Sequence, residues 1–135
     1  MARQVHHVVY CLRPENLDHA VALWSDVLGV QFTEHTGNRA LRVFYSPDAG
    51  LELISPVPGS DAVPPRIAAF LAERGEGVYT LVFEVPAIGE AERRAEANGL
   101  AVENRLSFPT LDESDLTEAH GMRLTLAETH PGPAT

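Results

Sequence analysis

The sequence predicts an α+β chain made of two βαβββ units in tandem. Three observations predict it: two Val-rich strand patterns, a helix pattern closing on glycine after each of them, and an internal repeat. A shift of 73 residues carries Val5-His6-His7-Val8-Val9-Tyr10 onto Val78-Tyr79-Thr80-Leu81-Val82-Phe83, and Leu51-Glu52-Leu53 onto Leu124-Thr125-Leu126. One supersecondary unit has been used twice.

In the first unit, Val5 to Cys11 is dense in Val and aromatic residues that fit a pleated surface, and Pro14 with Asn16 ends the run. Leu17, Ala20, Val21, Trp24, Val27 and Leu28 recur at spacings of three and four, which is the stripe of an amphipathic helix. Gly29 supplies its stop. Val30 to Thr36, Ala40 to Ser46 and Gly50 to Ser55 read as short strands separated by Gly37-Asn38 and Pro47-Asp48-Ala49-Gly50. Pro56 to Pro65 holds four prolines and a glycine and is a connector, from which Arg66 to Arg74 runs as a short helix.

The second unit repeats the plan. Val78 to Val85 is a strand closed by Pro86, Ile88 to Asn98 a helix closed by Gly99, and Leu100 to Leu106 and Met122 to Ala127 are strands. Ser107 to His120, with Pro109 and four acidic residues, reads as a loop or one short strand. The domain expected is a single one over 1–135, with module 1 at about 4–57, module 2 at about 77–129 and a disordered tail over 130–135.

Composition narrows the chemistry. The 135 residues carry ten basic against nineteen acidic side chains, a net charge of −9, which repels phosphate backbones and anionic lipid headgroups. Nucleic acid and membranes are therefore excluded as expected partners. Every basic residue is Arg, so Schiff-base chemistry and a phosphate-loop lysine have no amine to use. The one cysteine, Cys11, forms no intrachain disulfide, and MARQVHHVVY lacks the pattern of a signal peptide; a cytoplasmic setting is expected.

Strand parity then selects site candidates. Side chains alternate faces, so if Val8 and Tyr10 pack under the helix, His7 points to the opposite, concave side. The same parity sets Glu52 opposite Leu51 and Leu53, and gives Thr80 and Thr125 the matching positions in the second unit. His7, Glu52, Thr80 and Thr125 are expected to converge on one cleft, with Tyr45 and Phe108 lining it. Trp24, Tyr10, Phe83 and Phe70 are read as core. His35 and His120 are read as loop histidines, either of which could swing towards the cleft mouth, His120 as an alternative imidazole donor, and Glu90, Glu92 and Glu96 with Arg93 and Arg94 as a solvated helix face.

These residues resemble the vicinal oxygen chelate superfamily of glyoxalase I, bleomycin-resistance proteins, extradiol dioxygenases and methylmalonyl-CoA epimerase. The resemblance is carried by Val5-His6-His7, Leu23-Trp24-Ser25-Asp26-Val27-Leu28-Gly29, Gly50-Leu51-Glu52-Leu53-Ile54 and His120-Gly121-Met122-Arg123-Leu124. Phe70-Leu71-Ala72-Glu73-Arg74-Gly75-Glu76-Gly77-Val78 is similar to the epimerase branch. The resemblance implies a curved, cleft-bearing mixed sheet, a homodimer and a divalent metal held at the four strand positions. The ligand role carries over to His7 and Glu52, but Thr80 stands where the epimerase-like pattern has His, and Thr125 where it has Glu.

A hydroxyl is a poor ligand for zinc, nickel or iron, and two good donors fall short of three. The expected cofactor is therefore none, or a weakly held divalent metal ion. The expected function is binding of a small organic ligand, cationic or neutral given the net charge, in the manner of a bleomycin-resistance protein. The alternative is an isomerase, epimerase or lyase acting beside a carbonyl, with His7 and Glu52 as its acid–base pair or as part of a weak metal site. A third is a fold kept as an interaction module.

Overall fold

The computed structural model describes residues 4–131, so the expectation of disorder at 132–135 lies outside the described residues. The described residues divide into two compact units, His7–Tyr79 and 80–131 with 4–6.

In the first unit, strand β1 (Gln4–Cys11) passes through a 3-10 turn at Pro14–Asn16 into helix α1 (Leu17–Leu28), followed by β2 (Thr33–His35), β3 (Leu41–Ser46), β4 (Leu51–Pro56) and α2 (Pro65–Arg74). The strands lie in the order β2-β3-β4-β1, with β1 parallel to β4 and the other pairs antiparallel. Leu12, Leu17, Ala20 and Leu53 are buried together under α1, with Tyr10, Val21, Phe32, Phe44 and Leu51 packed around them. Full burial of a side chain such as Leu17 or Leu53 contributes about 1.5–3 kcal/mol. α1 ends because Gly29 takes φ 65°, a left-handed turn that a side chain resists.

The second unit holds β5 (Gly77–Glu84), α3 (Ile88–Ala97), β6 (Val102–Phe108), β7 (Leu111–Leu116) and β8 (Leu124–Thr129). Its order is β5-β8-β7-β6, again with the first and last strands in the chain parallel. Val85, Ala95, Leu116 and Leu126 form the core beneath α3. Each unit is thus the βαβββ module that the repeat implied.

Several expectations are corrected. Strand β2 is three residues long, because Phe32 turns into the α1 core and Asn38 closes the next turn, its Oδ1 accepting from the N–H groups of Ala40 and Leu41 at 2.8 and 3.0 Å. Of the two readings open for Ser107 to His120, the short strand is the one present, β7. Its inward side carries Ser114 and Leu116, 1% and 2% exposed, so a buried hydroxyl replaces the apolar residue that periodicity would have shown. Trp24 is not core: it is 39% exposed. Glu92 is not on a solvated face, since its carboxylate accepts hydrogen bonds from Ser114 and from Arg105. His35 belongs to strand β2 rather than a loop.

Candidate functional site

Tyr10, Leu51, Leu53 and Phe44 pack against the α1 core, so their sequence neighbours point to the other face of the first sheet. The register places Val9 beside Glu52, Glu52 beside Tyr45, and Tyr45 beside Thr33. Across β1, β4, β3 and β2 that face therefore presents His7, Glu52, Tyr45 and Thr33. His7 is 5% exposed, and its Nε2 lies 3.8 Å from Glu52 Oε1. The Tyr45 ring meets His7 edge-on at 5.3 Å between centroids, and His35 at 6.2 Å on its other side. A titratable imidazole is thus held by a flat aromatic wall and faces a carboxylate. At 3.8 Å the two form an ion pair when His7 is protonated, and a small shift or one bridging group completes a hydrogen bond.

The same face of the second sheet has different chemistry at equivalent places. Thr80 and Thr125 take the positions of His7 and Glu52, and the register sets Asp115 beside Thr125 and Asn104 beside Asp115, as Tyr45 and Thr33 stand in the first unit. Thr125 Oγ1 donates to Asp115 Oδ1 at 2.8 Å, and Thr80 Oγ1 lies 3.0 Å from Thr125 Oγ1 and 3.2 Å from the carbonyl oxygen of Arg123. Asn104 Nδ2 donates to the other Asp115 oxygen at 3.4 Å. With the Thr125 proton committed to Asp115, Thr80 is the donor within the Thr80–Thr125 contact or toward Arg123. Both threonines are buried, at 5% and 1% exposure.

His7, Glu52 and Tyr45 therefore meet in the first unit, and Thr80 and Thr125 meet in the second. Phe108 does not join Thr125: it sits at the far end of β6 opposite Leu111, four residues from Asn104, or about 13 Å along the strand. Asp115 and Asn104 were not anticipated, and His35, read as a loop residue able to reach the cleft mouth, stands beside Tyr45 from strand β2. Asp115 escaped the repeat because the connection after β7 is three residues longer than that after β3, which breaks the shift of 73 there.

The donor chemistry does not fit the divalent metal that the resemblance implies. Among the described residues no group of three or more His, Cys, Asp or Glu side chains is placed to hold an ion. His7 and Glu52 are two donors, and the threonine hydroxyls at the equivalent positions are neutral and engaged with each other, with Asp115 and with the backbone. Cys11, on the same face as His7, is no nucleophile. Burial, and after it the Glu76 carboxylate, pushes its thiol up to about 12.

A family model described as the glyoxalase/bleomycin resistance protein/dioxygenase superfamily matches residues 6–117. The chain belongs to this superfamily. No curated protein matches it in sequence. Among solved structures, a hypothetical protein from Bacillus halodurans C-125 is 17% identical with a TM-score of 0.77, each chain covered over 100% of its length. Methylmalonyl-CoA epimerase from Mycobacterium tuberculosis is 24% identical with a TM-score of 0.69, over 94% of this chain and 88% of that one. A mutant 4-hydroxymandelate synthase from Streptomyces coelicolor is 17% identical with a TM-score of 0.78, over 98% of this chain and 50% of that one. Likeness at these identities establishes the glyoxalase/bleomycin-resistance fold, which carries many unrelated reactions. Among the described residues no helix is long and apolar enough to cross a membrane.

Proposed function

We propose that this superfamily member binds a small organic molecule without a metal, using the face of the first sheet that carries His7, Glu52 and Tyr45. The observation that carries this reading is the His7–Glu52 pair at 3.8 Å beside the Tyr45 ring, in a chain whose equivalent positions hold threonines. Tyr45 supplies a flat apolar surface, and Glu52, 26% exposed along its side chain, supplies an accessible acceptor. A net charge of −9 favours a cationic or neutral ligand. Within the second unit, Thr80 and Thr125 are the candidates for contact with a ligand, and Phe108, at the far end of β6, is not beside them.

The test is a thermal-shift screen of cationic and aromatic metabolites, with metal content measured on protein purified without chelator. A ligand that raises the melting temperature in metal-free protein, with the shift abolished in Glu52→Gln and Tyr45→Ala, is the expected result. Stoichiometric zinc, nickel, cobalt or iron that is lost in both His7→Ala and Glu52→Ala would overturn the metal-free reading.

A second reading is favoured by the same pair: an imidazole and a carboxylate this close can pass a proton to and from a carbon beside a carbonyl, as an isomerase, epimerase or lyase requires. Solvent deuterium entering a candidate acyl substrate, and failing to enter with His7→Ala, distinguishes turnover from binding.

A further inference from the structure

Aromatic rings line up across the first sheet. His7 comes from β1, Tyr45 from β3 and His35 from β2, with centroids 5.3 and 6.2 Å apart in turn, although β4 lies between β1 and β3. One step back along the register from Val8 and Leu51, His7 stands beside Gly50, which shares the face of Glu52 and carries no side chain. Tyr45 therefore reaches His7 across β4. The glycine is required there for a second reason, since its φ of 62° is a left-handed turn that other residues resist. The result is a continuous ring surface with one carboxylate, Glu52, in register beside its central ring.

Charge on this face is one-sided. The chain has no lysine, and Arg42, the one arginine in β1 to β4 among the described residues, turns with Phe44 to the α1 side, where it pairs with Asp18 and Glu34. An anionic ligand thus meets no arginine on these strands. A neutral ligand that covers Glu52 replaces the water around a carboxylate only with weaker, uncharged hydrogen bonds. A metal ion wants at least three good donors, and His7 and Glu52 are two. A protonated amine meets none of these objections: it brings its own N–H donors to the carboxylate and lays carbon against rings whose faces attract a cation. We propose that the occupant of the site is a protonated organic amine, its N–H donating to Glu52 and its apolar arm lying against Tyr45 and His35. This rests on the reading above that the face binds a small molecule, and it names the class. His35, the most exposed of the three rings, closes the outer end of the surface and contacts the arm rather than the charge.

Backbone-amide NMR of the full chain tests this with probes that share one aromatic ring and differ in charge: N,N-dimethylbenzylamine, protonated at about pH 7.5, the neutral N,N-dimethylbenzamide and the anion phenylacetate. The amine is expected to shift the amides of β2, β3 and β4 saturably, with a dissociation constant on the order of 1 mM for a probe of its size. That constant should lie at least about tenfold below the benzamide's, with phenylacetate weaker still. Glu52→Gln, which keeps the shape and removes the charge, should bring amine and benzamide to within about twofold of each other. His35→Ala should weaken the amine about threefold and leave its preference over the benzamide in place. Benzamide or phenylacetate binding at these amides as tightly as the amine in the native chain, or an amine preference that persists in Glu52→Gln, would overturn the amine class and leave the binding face standing. Failure of every probe to shift the amides of that face would overturn both.

Discussion

Cys11 has 0% exposure, and a thiol held near 12 stays protonated at any physiological pH. Native protein at about pH 8 is therefore expected to resist iodoacetamide and to label only when denaturant opens it, the unperturbed thiol lying near 8.5. Labelling of the native chain at the unfolded rate would contradict the buried placement. Leu53, also at 0%, lies under α1, and Leu53→Ala should cost about 2–5 kcal/mol in chemical denaturation through lost transfer energy and the cavity left behind. At this scale His7 and Glu52 were legible as candidates because parity alone separates them from their apolar neighbours. The Asp115 partner of Thr125 was not, because its strand buries Ser114 in place of an apolar residue and so loses the alternation that announces a strand.

Helix α3 is tied to its sheet by Glu92. The carboxylate is held below its usual 4.5, first by the hydrogen bond from Arg105 and further by that from Ser114, against the opposing effect of burial. A folded value below the unfolded one means that the stabilisation is complete above about pH 5 and is lost as pH falls through the lowered value. Glu92→Gln should cost about 1 kcal/mol near pH 7, a figure already reduced for solvent around the Arg105 guanidinium, and the difference from the native chain should shrink as pH falls through the lowered Glu92 value. Urea midpoints for the two proteins across that range check it. Glu76 follows the same sign: the Asn16 amide and the Arg13 N–H donate to it at 2.9 Å each and lower its value, the Asn16 bond first, fastening the turn that leads into α1. At the end of α1, no atom lies within 4 Å of where a Cβ on Gly29 would sit, so Gly29→Ala should lose about 1 kcal/mol through backbone strain alone. A loss no larger than that of an exposed surface alanine would show that the left-handed turn costs nothing here.

For the whole chain, a charge of −9 makes the compact state repel itself, so the melting temperature at neutral pH is expected to rise between about 10 mM and 0.5 M salt. A fall would mean that exposed pairs such as Arg94–Glu90, at 2.8 Å, outweigh the net repulsion. The duplication, the helix stops at Gly29 and Gly99 and the superfamily were all determined by the sequence, because periodicity, glycine placement and a repeat of 73 residues are one-dimensional signals of local geometry. Tertiary structure alone decided that Trp24 stands uncovered, that Asp115 accepts from Thr125 and that Glu92 faces its sheet. Each of those outcomes depends on what another element does or does not place opposite the residue, and no spacing along a single segment encodes its neighbour across the fold.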